Sequence, residues 1–571
     1  MKNEEVAAIF ESIAQLLEIK GEVIYKTLSY HRAAESIRAL GRDLNDVRQE
    51  EGLQSIPGVG AAIAAKIEEL LDTGSLDFYN RLLEEVPAGL LDVIAVRDVG
   101  AKSAARFWKE LGVTNLDELE QAAGAGRIRA MPGMGERTET RLLENIAEHR
   151  RLATGRMLLD EADRAAQEVL AFVREIPGVE HADIAGSLRR RRETIGDLDI
   201  VASAEDPAAA LQVFIQSPKI LKVLSSGESK ASVILPTGIR AQLWIYPIRE
   251  FGSALQYTTG SQAHNVRLRE LAQKQGLSLS EHGYKREDGS ILSCASEEEV
   301  YRAVGLDWIP PELREDRGEF TQKLPVLISV EDLRADLHMH TTWSDGRNSL
   351  EEMADAALKA GLRVLAVTDH SRSLGVAGGL SIEQWGAQHA EVERLQVKLQ
   401  GRLRILHGAE VEILPDGSLD FPGDVLARMD VVIASLHAGM HQPGDAATAR
   451  ILTALENPWI DILAHPTGRL LGRREGMQLD MEAIFRSAAQ QRIALEINAH
   501  PERLDLNDIL ARRAVELGCL LAVNSDAHSQ DQFSHLRYGT SVARRGWVTP
   551  AVVVNTWPDA ELLTWLGRKH G

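Results

Sequence analysis

The chain has 571 residues, too many for one ordinary core, and at about 150 residues per domain it calls for three or four domains. It is 44% hydrophobic and 26% charged, which excludes a disordered or fibrous chain, and no segment approaches the roughly 20 uninterrupted apolar residues of a membrane span. The net charge of −20 argues against a generally basic nucleic-acid binder, although salt screens charges beyond about 8–10 Å and leaves room for local basic grooves. Cys294 and Cys519 form no CxxC motif and no disulfide framework, so a reducing cytoplasm, at the nucleoid, is the expected compartment.

In chain order, "MKNEEVAAIFESIAQLLEIK" carries acids through its apolar pattern and predicts an amphipathic helix, not a signal peptide. Residues 1–150 keep a three- and four-residue apolar spacing broken by glycine-rich turns, which predicts helices throughout. Three turns look alike: "SIPGVGAAIAAKI" (55–67), "AVRDVGAKSAARF" (95–107) and "AMPGMGERTETRL" (130–142). They resemble the helix-hairpin-helix motif of DNA-binding proteins. Gly58, Gly60, Gly100, Gly133 and Gly135 would let the backbone approach a phosphate, with free N–H groups of the next helix behind them. A plain helical turn with a glycine cap competes for any single copy; three copies favour DNA. The middle copy has Asp98 where the first glycine belongs, and an acid facing a phosphate is unfavourable, so a structural role is expected there.

Residues 155–250 change character. The runs "VEHADIAGSL", "GDLDIVAS", "KASVILPTG" and "RAQLWIYPI" predict strands between helical stretches, an α/β or α+β domain. On a strand, Asp197 and Asp199 point to one face, and two such carboxylates repel unless a cation lies between them. "GSLRRRRETIGDLD" (186–199) resembles the nucleotidyltransferase signature. That resemblance implies that Ser187 and a neighbouring arginine hold triphosphate oxygens, a geometry that suits the guanidinium fork, while Asp197 and Asp199 hold two divalent ions. The competing reading is an edge strand with a solvated basic turn. "DWIPPELREDRGEF" reads as the end of a domain and "TQKLPVLISVEDL" as a linker.

From residue 334 the rhythm is short apolar runs alternating with helices: "RADLHMH", "RVLAVTDH", "LRILHGAE", "DVVIASLH", "DILAHPTG", "RIALEINAH" and "CLLAVNSDAH". Buried parallel strands look like this, and strand C-termini of a β/α barrel converge on one mouth. His338, His340, Asp345, His370, Glu410, His437, His465, Asp526 and His528 therefore gather in space. They are too many for one ion, so two or three are expected, and imidazole with carboxylate suits Mn, Zn or Fe. Paired metals make a hydroxide nucleophile and clamp the oxygens of phosphoryl transfer. The stretch resembles the polymerase-and-histidinol-phosphatase (PHP) domain, a distorted β/α barrel with a multinuclear metal site, whose ligand positions carry over to these nine residues. His407 and His500 have no family role and read as structural; Arg469 and Arg503 are weaker candidates for substrate phosphate.

With the N-terminal 315 residues, the whole chain resembles the bacterial family X DNA polymerases. The resemblance implies a helical lyase-like domain with a helix-hairpin-helix (1–85), fingers with two such motifs (86–154), an α+β nucleotidyltransferase palm (155–250), a thumb (251–315), a linker (316–333) and the PHP barrel (334–571). It matches Ser187 and Arg190 to triphosphate binders. It matches Tyr257, Gly260 and Ser261 in "QYTTGSQAHNVRLRELA" to the segment that checks the nucleotide sugar. Lys66 matches the lysine that forms a Schiff base with an abasic sugar in some relatives, chemistry a lysine of lowered pKa can do; an ordinary phosphate-facing lysine is the equal alternative. Three positions depart from the family. Gln242, in "IRAQLWIYP", stands where a third catalytic aspartate is expected; it carries no charge and is no base at neutral pH. Thr258 replaces the second of an aromatic pair, and Arg191 stands where relatives often have glycine.

The leading expectation is a monomeric DNA repair enzyme acting on gapped or primer-template DNA with deoxynucleoside triphosphates. It would combine slow synthesis in the palm, dependent on Mn more than Mg, with 3′-5′ exonuclease activity in the barrel. One alternative is a nuclease on a decayed polymerase scaffold; another is a small-molecule phosphatase fused to a DNA-binding module.

Overall fold

The computed structural model describes residues 3–38, 40, 44–50, 52–440 and 442–570. The chain forms two compact units, Met1–Gly155 and Arg156–Gly571. In the first, the helix Asn3–Lys20 buries Val6, Phe10, Ile13 and Leu17, one face at three- and four-residue spacing. That face meets Ile67, Val93, Phe107 and Ile146 in one apolar core. The three glycine turns share a single geometry. Val59, Val99 and Met134 donate to the carbonyls of Ile56, Val96 and Met131, each at 3.0 Å. The helices that follow open on Gly60, Gly100 and Gly135, whose carbonyls accept from Ala64, Ala104 and Glu139. Gly58 and Gly133 take left-handed φ values of 82° and 80°, and Asp98 takes the same region at 66°. Asp98 therefore preserves the hairpin at a conformational cost that glycine avoids.

The second unit begins with a five-stranded sheet. Its central strand, Arg240–Tyr246, runs parallel to Leu198–Ala204, which pairs antiparallel with the edge strand Val179–Ile184, and antiparallel to Lys230–Ile234, with Lys222–Ser226 beyond. The strand Lys222–Ser226 is exposed along its whole length, so it has no apolar face to mark it in the sequence. The helix Leu159–Arg174 covers the sheet with Leu159, Ala166, Leu170 and Val173. A smaller subdomain follows around Leu268, Tyr284 and Tyr301. It is tied to the sheet's loop by buried Glu297, which accepts from Arg189 at 2.7 and 2.8 Å and from Arg314 at 2.5 and 3.0 Å.

The barrel has seven parallel strands in chain order: Ala335–Asp336, Val364–Val367, Arg404–Glu412, Val431–Ser435, Ile462–Leu463, Ala494–Asn498 and Leu520–Asn524. A parallel bridge between Met339 and Ala527 brings the two ends together. Two strands are only two residues long, because the chain leaves the extended form just beyond them; His465 has φ 27°. Leu562, Trp565 and Leu566 of the last helix pack on Ala335, Val364 and Ile462. Residues 316–333 are anchored, not free: Arg317 pairs with Asp508 at 2.9 Å and the Ile328 amide donates to Val548. One continuous apolar cluster runs from Leu170, Ile200 and Leu243 to Met353 and Trp385 of the barrel. Among the described residues no helix is long and apolar enough to cross a membrane.

Candidate active sites

In the five-stranded sheet, Asp199 lies directly opposite Gln242 on the neighbouring strand. The Gln242 amide nitrogen donates to Asp197 Oδ2 at 2.7 Å and reaches Asp199 Oδ1 at 3.3 Å. The amide thus spans the two carboxylates that the sequence placed on one face. Burial, then the charge of Asp197, pushes Asp199 up to about 7. A divalent cation would relieve that repulsion, and the carboxylate oxygens of Asp197 and Asp199 are donors of the kind hard cations take. Gly186 presses on the same acid: at φ 60°, a Cβ there would lie 2.0 Å from Asp199 Oδ2. Only glycine fits the first position of the Gly-Ser pair.

The loop between Gly186 and Asp197 spends its arginines separately. Arg189 holds Glu297 and Thr259 Oγ1. Arg190 donates through Nε to Glu315 Oε1 at 3.2 Å and through Nη1 to the Thr259 carbonyl. Its Nη2 and the Ser187 hydroxyl make no hydrogen bond among the described residues, so both stay available as donors. Gly260 adjoins Arg190 Nη1. The Ser261 hydroxyl caps the helix Gln262–Gln273 by accepting from the His264 amide. Tyr257 is 40% exposed.

At the barrel mouth all nine predicted residues converge. Glu410 lies at the centre, 2.9 Å from His370 Nδ1, 3.0 Å from His465 Nε2, 3.3 Å from His338 Nε2 and 3.5 Å from both His340 and His437. His338 and His340 face each other through Nε2 at 3.3 Å, and Asp526 Oδ1 lies 3.1 Å from His340. Asp345 reaches His370 at 3.5 Å and His528 at 3.4 Å. Three overlapping groups could each hold an ion: His340, Asp345, His370 and His528; His338, His340 and Asp526; His370, Glu410 and His437. Burial alone would raise Glu410, but His370, His338 and His437 more than offset it and hold it well below the carboxylate range. Burial, with the neighbouring His528 and His370, pushes His340 down to about 4. A neutral His340 offers a ring lone pair, and its buried Nδ1 has no hydrogen-bond partner. The donor set fits metal ions.

A surrounding layer of acids orients these side chains, beyond the nine residues that end the apolar runs. Glu496 accepts from His338 Nδ1 at 2.7 Å and from the His465 amide at 2.8 Å. Glu412 meets His437 Nδ1 at 2.9 Å. Asp369 accepts from the Thr341 amide and hydroxyl and the Ser344 amide, which fixes the loop carrying Asp345. Ligand-orienting carboxylates of this kind set ring direction and basicity. Their signal was present: Glu412 follows Glu410 by one strand period, and Asp369 adjoins His370. His465 and Asp526, at φ 27° and 52°, hold strained backbone beside the cluster.

Of the remaining predicted residues, only Arg503 borders the cluster. His407 stacks on Trp385 and bonds Gln388 at 3.0 Å, outside the cluster, and His500 accepts from the Glu502 amide. Arg503 Nε is 3.8 Å from Asp526. Arg469 is not open to a phosphate: it forms a two-pronged pair with Glu193 at 2.6 and 3.1 Å. In the N-terminal unit, Lys66 lies over the Phe78 ring at 5.1 Å and donates to the Ala62 carbonyl.

Comparison with known proteins gives four family matches: a helix-hairpin-helix domain over residues 1–76, a SAM-like helix-hairpin-helix tandem over 90–148, the DNA polymerase beta thumb over 254–315 and the PHP domain over 336–500. The chain is 36% identical over 561 residues to the DNA polymerase/3′-5′ exonuclease PolX of Bacillus subtilis (strain 168), covering 97% of both chains. DNA polymerase lambda of Rattus norvegicus is 25% identical over 344 residues, 55% of this chain and 56% of that protein. A probable phosphatase of Thermoanaerobacter sp. (strain X514) is 31% identical over 232 residues, 39% of this chain and 89% of that protein.

Proposed function

This chain belongs to the bacterial family X DNA polymerases that carry a PHP domain, and on that premise we propose that it is a two-site DNA repair enzyme. The palm extends a primer across a gap, and the barrel removes nucleotides from a 3′ end in the 3′-5′ direction. The observation that carries the reading is the pairing of Asp197 with Asp199 beside the uncommitted donors of Ser187 and Arg190, in one chain with the cluster around Glu410.

In the palm, Asp197 and Asp199 would hold divalent cations, Mn in preference to Mg. In the barrel, His338, His340, Asp345, His370, Glu410, His437, His465, Asp526 and His528 would hold two or three Mn, Zn or Fe ions. When bound, such ions neutralise phosphate charge and acidify water. The rest falls to the chain. Arg190 and Ser187 bind triphosphate oxygens. Tyr257, Gly260 and Ser261 form the wall beside the sugar, and Thr258 offers less bulk there than an aromatic ring. Gly58, Gly60, Gly100, Gly133 and Gly135 let backbone amides approach DNA phosphates. Lys66, half-buried with its amine over the Phe78 ring, is the candidate for attack on an abasic sugar. The enzyme works as a monomer in the cytoplasm, at the nucleoid.

Gln242 decides how well the palm works. Its amide nitrogen faces both acids, and turning the amide by 180° would present its oxygen instead. In neither orientation can it take the proton of a primer hydroxyl. Synthesis is therefore weak and favours Mn. This residue also carries the second reading, a 3′ nuclease on a disabled polymerase scaffold. A third reading, a small-molecule phosphatase, draws on the Thermoanaerobacter relative; it predicts hydrolysis of a small phosphate ester and none of a 3′ DNA end.

The deciding experiment is extension of a labelled primer on a one-nucleotide gap, in Mg and then Mn. The protein carries His338→Ala and His340→Ala, so that nuclease activity cannot mask synthesis. Extension in Mn that disappears with Asp197→Ala supports the two-site enzyme. No extension in either metal, restored by Gln242→Asp, establishes the scaffold reading instead.

A further inference from the structure

The loop from Ser187 to Glu193 is held by the barrel at four points. Arg191 Nη1 reaches Asp163 at 2.9 Å, while its Nε donates to Ser541 Oγ at 3.1 Å, on the barrel helix Leu536–Arg545. Its guanidinium lies 5.7 Å from the Tyr538 ring. Glu193 pairs with Arg469. Arg545, at the end of the same helix, donates through Nη1 to the Arg190 carbonyl at 2.6 Å and to Glu315 Oε1 at 3.1 Å. Its Nη2 binds Asp508 at 2.9 Å, and its side chain is 1% exposed.

Arg191 shows that this attachment outweighs local backbone preference. Its φ is 56°, a region where glycine is at ease and a side chain is strained. The strained residue is retained with its side chain directed into the barrel contact.

Arg545 and Arg190 share the Glu315 carboxylate oxygen. Glu315 holds the Nε edge of Arg190, the Thr259 carbonyl holds Nη1, and Nη2 is left open. A guanidinium fixed on two edges with one free is prepared to grip a phosphate oxygen with little further ordering. We propose that Arg545 and Glu315 are positioning residues for nucleotide binding: the barrel, through them, fixes Arg190 in the pose that takes the triphosphate of an incoming deoxynucleotide. The barrel is thereby part of the polymerase site as well as the seat of the second one. The inference rests on the reading of Arg190 as a triphosphate ligand.

The test is equilibrium binding of a mant-labelled deoxyadenosine triphosphate to the full-length protein in Mg, read by fluorescence anisotropy, which needs no turnover. Arg545→Ala and Glu315→Gln should each weaken binding about 10-fold, and Arg190→Ala at least as much. Adding Arg545→Ala to Arg190→Ala should cost less than about twofold more, because the two act through one guanidinium. Glu315→Gln preserves shape and keeps the test valid if Arg545→Ala folds poorly. Unchanged binding in Arg190→Ala overturns the reading of Arg190 itself. Weakened binding in Arg190→Ala with unchanged binding in Glu315→Gln and Arg545→Ala overturns only the positioning role. Losses that multiply in the double variant also overturn it, since they would mark a general loosening of the palm against the barrel.

Discussion

The palm and the barrel both gather carboxylates at strand ends, but they stabilise them differently. In the palm, two acids face each other with an amide between them, and one is pushed up to about 7 by burial and by its neighbour. In the barrel, Glu410 is surrounded by imidazoles that hold it well below the carboxylate range, and the His338 and His437 rings are oriented by the further acids Glu496 and Glu412. The barrel acid is balanced by several imidazoles, whereas the palm pair has no charged partner within hydrogen-bond reach among the described residues and is bridged by the Gln242 amide.

The widest separation between the sites should come from Glu410→Ala. Exonuclease release of nucleotides should fall on the order of 10³-fold while primer extension persists. A parallel fall in extension would show that the sites are not separate. Gln242→Asp should then narrow the contrast from the other side, raising extension in Mg by about 10- to 100-fold and shrinking the Mn advantage. Glu496→Gln and Glu412→Gln probe the orienting layer. Each should lower retained metal after dialysis by about 10- to 100-fold in affinity, with elemental analysis as the readout; full retention would mean that the layer is only structural.

The smallest effect lies in the pH response on the palm side. Burial opposes the charge of Glu297, but Arg314 and Arg189 more than offset it and keep its folded value well below the ordinary one. The stability it contributes is complete above the unfolded value of about 4.3 and is lost as pH falls toward the folded value. Thermal melts of the full chain should therefore decline more steeply between about pH 5 and pH 3 than those of Glu297→Gln. Equal slopes would remove Glu297 from the account.

Much of this was readable in the sequence, for a physical reason. His338, His370, Glu410 and His437 end apolar runs, and parallel strands send their C-termini to one place. Asp197 and Asp199 obey the strand period. Gln242 was recognisable as a missing charge, but its amide reaching both acids was not, because pairing register is set by the whole sheet. The fully exposed strand Lys222–Ser226 left no alternation to read. Arg469 looked like a phosphate ligand because nothing local reveals a partner 276 residues away. Arg545 and Glu315 were invisible for the same reason: their roles exist only where two distant stretches meet.

The anchoring of residues 316–333 has a practical consequence. A protease that nicked this segment would not part the fragments under native conditions, since Arg317 with Asp508, Glu193 with Arg469 and a shared apolar cluster still join them. A gene map would show two modules where a sizing column shows one particle. Recombination that moved this barrel onto a foreign palm would have to carry the matching surface with it.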